Sequence, residues 1–143
     1  MLPALVTRLH TALAAAVLAV AGAAHATEGV TGTTIRIGMS SPLSGPTGAY
    51  GRAMKEGIEA CFAQVNARGG VEGRRLELVA LDDGYETDAA VANTRRLIEN
   101  EKVFALMGFY GSSPTVAVLP LLDASGVPRP ARSRAATMSR ALR

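Results

Sequence analysis

The chain has 143 residues, enough for one α/β unit, and a formal charge of +3 from fifteen Lys and Arg against twelve Asp and Glu. Arg8 and five arginines (Arg129, Arg132, Arg134, Arg140 and Arg143) lie outside residues 27–128, leaving that stretch nine basic residues against twelve acidic ones and arguing against a nucleic-acid surface. Cys61 is the one cysteine, and both histidines, His10 and His25, precede residue 27; this excludes a disulfide within the chain and argues against a zinc site or a Ser-His or Cys-His nucleophile pair.

Arg8 and His10 precede an Ala/Leu/Val run from Ala12 to Ala21, followed by Ala24-His25-Ala26. This pattern predicts a secretory signal peptide over residues 1–26, cut after Ala26 to leave Thr27 as the mature N-terminus. The apolar core is too short to span a bilayer comfortably, which disfavours the rival reading as an uncleaved anchor. No later segment is apolar for long enough to cross a membrane, so the expected location is the periplasm, or the outside, of a bacterium.

Apolar residues alternate at Ile35, Ile37 and Met39, which predicts a β-strand, and the segment runs on as IRIGMSSPLSGPTGAYG into a Gly, Ser, Pro and Thr loop. A helix pattern follows with Met54, Ile58, Cys61, Phe62 and Val65 on one face, so Cys61 is expected to be a small buried hydrophobe. Gly69, Gly70 and Gly73 supply a turn into a second strand, Leu76 to Leu81, which ends at Asp82-Asp83-Gly84. Two carboxylates before a glycine at a strand end read as turn-holding groups ahead of an acid/base pair.

Thr87 is the expected N-cap of a second helix that has Asp88 in its first turn, buries Ala90, Val91, Leu97 and Ile98, and ends near Asn100. The continuous apolar run Val103 to Met107 suits a strand buried on both faces. Gly108 to Pro114 forms the next loop, and a third helix is expected from Thr115 to Ala124, kinked at Pro120 and stopped at Gly126. A fourth strand should begin at Gly126-Val127-Pro128. Residues 129–143, RPARSRAATMSRALR, carry no strand pattern, and their basic, polar composition predicts disorder.

The order β-α-β-α-β-α specifies an α/β fold, a doubly wound parallel sheet with right-handed crossovers and ligands at the carboxyl ends of its strands. One rival is a nucleotide- or dinucleotide-binding enzyme domain, suggested by Gly45, Gly48 and Gly51 after the first strand. The spacing is GxxGxxG, Pro46 interrupts it, and the glycines stand far from the strand, so the fit is poor.

IRIGMSSPLSGPTGAYG, the block GGVEGRRLELVALDDGYETDAAVANTRRLIENEKV, and MGFYGSSPTVAVLPLLDASGVP occur in that order behind the signal segment. Together they resemble the leucine/isoleucine/valine-type periplasmic substrate-binding proteins of ABC transporters, which have the type I periplasmic binding fold. The resemblance covers about Thr33 to Pro128. It implies that residues 27–128 are an incomplete N-terminal ligand-binding lobe. It also implies a binding protein that is not an enzyme, needs no cofactor or metal, takes a branched-chain amino acid or related small carboxylate, and delivers it to a transporter permease.

In the sheet order 2-1-3-4-5 the loops after strands one and three face each other at the switch point, each leading to a helix N-terminus that favours a carboxylate. By the resemblance, Ser112 supplies a carboxylate-binding hydroxyl with Ser113 as its neighbouring alternative, Tyr50 borders the ligand, and the backbone of Tyr110 and Gly111 lines the pocket. The plainer alternatives are helix capping for the serines and helix-face packing for Tyr50. Some relatives carry a disulfide near the positions of Tyr85 and Gly111, a bridge this chain lacks. The tail also admits a shifted reading. If its codons are of the four-fold degenerate types, reading from the third base of the Arg129 codon permits Ala-Gly-Pro-Phe-Thr-Gly-Ser-Asp-Asp-Val, similar to the family's continuation.

Overall fold

The computed structural model describes residues 27–128; the signal segment 1–26 and the tail 129–143, with the expectations placed on them, lie outside the described residues. Six elements alternate along the chain: β1 (Thr34–Ser41), α1 (Gly48–Ala67), β2 (Arg75–Asp82), α2 (Thr87–Glu99), β3 (Ala105–Met107) and α3 (Ser112–Ser125). The sheet order is β2-β1-β3 with both pairings parallel. Ile37 stands opposite Leu78 on one side and Ala105 on the other, and Met39 opposite Ala80 and Met107. This is the α/β, doubly wound arrangement expected from the alternation of elements.

Gly38 explains how the central strand meets its helices. A Cβ there would lie 2.8 Å from Leu106 Cδ2, 3.0 Å from Val103 Cγ2 and 3.2 Å from Leu97 Cδ2, so the missing side chain makes room for the core. That core is Ala90, Leu97, Val103, Leu106, Val118 and Leu122, packed between the sheet and the α2–α3 pair. Right-handed crossovers in the order β2-β1-β3 put α1 on the opposite face, where it packs on β2.

Cys61 departs from expectation, since it is exposed. β2 is an edge strand, so α1 covers it with a narrow stripe of half-buried Ile58, Phe62 and Val65, and Cys61 at the margin of that stripe turns to solvent. The same helix closes the sheet edge. Arg75 donates its N–H to Thr33 of the segment leading into β1, so the N–H and C=O of Leu76 point outward, and the Asn66 side chain satisfies both, at 2.8 and 3.0 Å.

Two helix starts also move. Glu86, in extended conformation, holds the cap position of α2, and Thr87 is its first helical residue, with no side-chain cap bond. α3 begins at Ser112, three residues before the expected Thr115, because Gly111 turns the chain at φ 89° and Pro114 sits in the first turn, where its missing N–H forfeits no helical bond. The helix then runs through Pro120 and stops at Gly126, which is left-handed at φ 67°. β3 is shorter than its apolar run, but Val103 is buried all the same, its N–H bonded to Leu97. Beyond α3, Leu106 donates its N–H to the Pro128 carbonyl at 3.0 Å, and Val127 packs on the core. The chain thus reaches the outer edge of β3 where the fourth strand was expected.

Candidate functional site

The carboxyl ends of β1 and β2 are joined by Asp82, the last residue of β2, and Asp83 directly after it. Asp82 Oδ1 accepts the N–H groups of Leu43 at 2.7 Å, Ser44 at 3.3 Å and Gly84 at 2.9 Å. Hydrogen bonds from the Ser44 side chain first and the Leu43 amide next hold this carboxyl below the ordinary carboxylate range. Asp83 is buried, and its two oxygens divide between the Ser40 hydroxyl at 2.8 Å and the Tyr85 N–H at 3.0 Å. Asn93 of α2 donates to the Asp82 carbonyl at 2.9 Å and, more weakly, to Ser40 Oγ at 3.4 Å. The pair is therefore a clamp that ties the turn after β2 to the loop after β1, the turn-holding role expected of it.

That clamp presents Tyr85 in a left-handed conformation, φ 71°, directly after Gly84 at φ 57°. Its ring lies against Tyr110, with centroids 5.9 Å apart and planes tilted by 57°. Tyr110 in turn stacks on Tyr50, with centroids 5.4 Å apart and planes 9° from parallel. Gly111 makes the arrangement possible, because a Cβ there would come within 2.4 Å of Tyr85 Cε2. Tyr50, in the first turn of α1, stays 61% exposed, so it packs laterally on Tyr110 and is not buried in a helix interface.

Ser112 and Ser113 are the first two residues of α3 and both are exposed. Neither caps the helix, because Gly111 occupies the cap position and no side chain bonds the first turn. The Gly111 carbonyl instead accepts from the Thr115 hydroxyl and amide. The start of α1 differs, since the amides of Gly48 and Tyr50 are bonded to the Gly45 and Thr47 carbonyls. Of the two helix N-termini facing the switch point, α3 is thus the one whose amides and dipole remain disposed toward an anion.

The glycines after β1 serve packing. A Cβ on Gly51 would fall 1.9 Å from the Pro42 carbonyl oxygen, and one on Gly48 3.1 Å from that of Leu43, so they let α1 start flush against the loop. Ser41, beneath that first turn, has a buried hydroxyl without a hydrogen-bond partner among the described residues. Among the described residues no cluster of His, Cys, Asp and Glu could hold a metal ion.

The sequence-predicted residues Tyr50, Tyr110, Gly111, Ser112 and Ser113 therefore lie on the two facing loops and the helix starts beside them. Tyr85, Ser40 and Asn93 join them from outside the expected set. For Tyr85 the sequence signal is the proximity of its position to that of Gly111 in the resemblance; Ser40 begins the loop expected to face the cleft, and nothing in the pattern marks Asn93.

The profile of the family described as periplasmic binding protein matches residues 34–132. The chain belongs to this family. An amino acid binding protein of Pseudomonas aeruginosa is 33% identical over 91 residues, 64% of this chain and 24% of its own length. A leucine-, isoleucine-, valine-, threonine- and alanine-binding protein of the same bacterium is 32% identical over 112 residues, 78% of this chain and 29% of its own. Among solved structures, a branched-chain amino acid transporter substrate-binding protein of Streptococcus pneumoniae, in complex with isoleucine, superposes with a TM-score of 0.65 at 35% identity, over 68% of this chain and 28% of that one. This periplasmic binding protein thus spans about a quarter of the length of the curated relatives it matches. No helix among its described residues is long and apolar enough to cross a membrane.

Proposed function

We propose that this chain carries the first wall of the ligand cleft of an ABC-transporter substrate-binding protein for branched-chain amino acids or related small carboxylates. It would be exported through a cleaved signal peptide over residues 1–26 and serve a membrane permease. The observation that carries this reading is the meeting of the loops after β1 and β3 through the stacked Tyr50 and Tyr110, beside the uncapped start of α3. In this reading the ligand carboxylate takes the amides of the first turn of α3 and the Ser112 hydroxyl, with Ser113 adjacent. Tyr50 and Tyr110 border the ligand's apolar part, and the backbone at Gly111 admits its close approach.

The role is binding and release, with no chemical step. The dinucleotide alternative has little support, because Gly48 and Gly51 are used in packing and two amides at the start of α1 are already bonded within its own turn. Binding by residues 27–128 is expected to be weak, since complete family members close two lobes around the ligand by hinge bending. We also propose that residues 129–143 are read in a shifted frame relative to the family's continuation. Calorimetric titration of the 143-residue chain with leucine, isoleucine and valine tests the reading: weak heats that vanish in Ser112→Ala support it, and tight binding of labelled NAD would overturn it.

A further inference from the structure

The three tyrosines clustered at this cleft are all the tyrosines the chain has, and it has no tryptophan. Tyr50 and Tyr85 are 61% and 42% exposed at the carboxyl end of the sheet, so aromatic surface that packing would cover is left to solvent. Tyr85 is also held there at a cost. A left-handed φ of 71° is unfavourable for a residue with a side chain, yet the conformation is fixed by Asp83 on its amide, Asp82 on the amide before it, and a bare Gly111 beneath the ring. Three residues thus serve to place one partly exposed ring.

We infer that Tyr85 is a specificity-determining residue of this cleft, and that the three-ring wall selects a carboxylate bearing a flat aromatic group over an aliphatic one. The inference rests on the carboxylate reading given above. Shape decides between the ligands an aromatic wall can take. A cation cage needs ring faces that converge on one point. Here Tyr50 and Tyr110 are parallel within 9°, so they present a flat face that a planar group extends by offset stacking. Tyr85, tilted by 57° against Tyr110, adds an aromatic flank to that platform.

Because every aromatic spin system of tyrosine belongs to this cluster, the three tyrosine ring signals in an NMR spectrum of the 143-residue chain report on the site alone. Titration is made with phenylacetate, with isovalerate as an aliphatic carboxylate, and with choline. Phenylacetate is expected to shift all three ring systems and to bind roughly two- to ten-fold more tightly than isovalerate, the range that stacking adds beyond area. Tyr85→Ala should erase the difference in affinity between the two carboxylates, and Tyr85→Phe should keep the preference. If Tyr85→Ala does not fold, Tyr85→Leu, which still covers Gly111, should abolish the preference in its place. Equal affinity of the parent chain for both carboxylates, or a preference that survives Tyr85→Leu, overturns the inference and leaves the carboxylate reading standing. Binding of choline alone, or of none of the three, overturns both.

Discussion

Asp83 does two things with one carboxylate, since it accepts a hydrogen bond from the buried Ser40 hydroxyl and another from the amide of the left-handed Tyr85. Asp83→Ala should therefore cost about 1–3 kcal/mol, the range for stranding a buried polar partner, and free the Tyr85 ring. Urea denaturation with near-ultraviolet dichroism of the tyrosines checks both parts. Ser41 is the contrasting case, because its buried hydroxyl has no partner in residues 27–128. Ser41→Ala should be neutral or stabilising by up to about 1 kcal/mol in the same measurement. Two carboxyls, the exposed Asp82 and the half-buried Glu101, contribute to the acid limb of stability. Asp82 is lowered from 3.8 by Ser44 and Leu43, and Glu101 from 4.5 by Arg36 and Arg96. Groups with depressed folded pKa stabilise above their unfolded pKa and lose that contribution as pH falls through the folded value. Stability should hold at neutral pH and decline below about pH 4. Asp82→Asn should flatten that decline when melting is followed against pH.

Several elements owe their place to residues that the period of the sequence does not single out. β1 reads as a strand from Ile35, Ile37 and Met39, but Gly38 between them decides how closely Leu97 and Leu106 approach. Gly38→Ala should overpack this contact and cost about 1–3 kcal/mol by denaturant titration. α1 reads as a helix from its apolar stripe, and its polar Asn66 then covers the outward backbone of Leu76. Asn66→Ala should expose that edge and produce concentration-dependent self-association in sedimentation velocity. The sequence pattern puts the starts of α2 and α3 one and three residues late, because it favours Thr87 as a cap and a helix from Thr115, whereas an extended Glu86 and a positive-φ Gly111 turn the chain.

At the scale of the molecule, the Pro128 carbonyl on Leu106 places the chain at the outer edge of β3, at the threshold of a fourth strand. If the shifted frame is right, resequencing of the locus should reveal a continuous downstream frame encoding the second lobe, and its absence would refute that proposal. Amino-acid binding by the restored protein should exceed that of the 143-residue chain by orders of magnitude, as measured by calorimetry. The alternation of periods in the sequence was enough to establish a parallel, doubly wound sheet, because period-two and helical patterns are local and a right-handed crossover leaves few topologies, while the order β2-β1-β3 with its two facing loops came with the resemblance to the family. It also led, through three ordered blocks, to the family. Only the tertiary structure decided that Tyr50, Tyr85 and Tyr110 meet, that Cys61 faces solvent and that Asp82 and Asp83 clamp two loops together. Those facts depend on contacts between residues far apart in the chain, which no local period records.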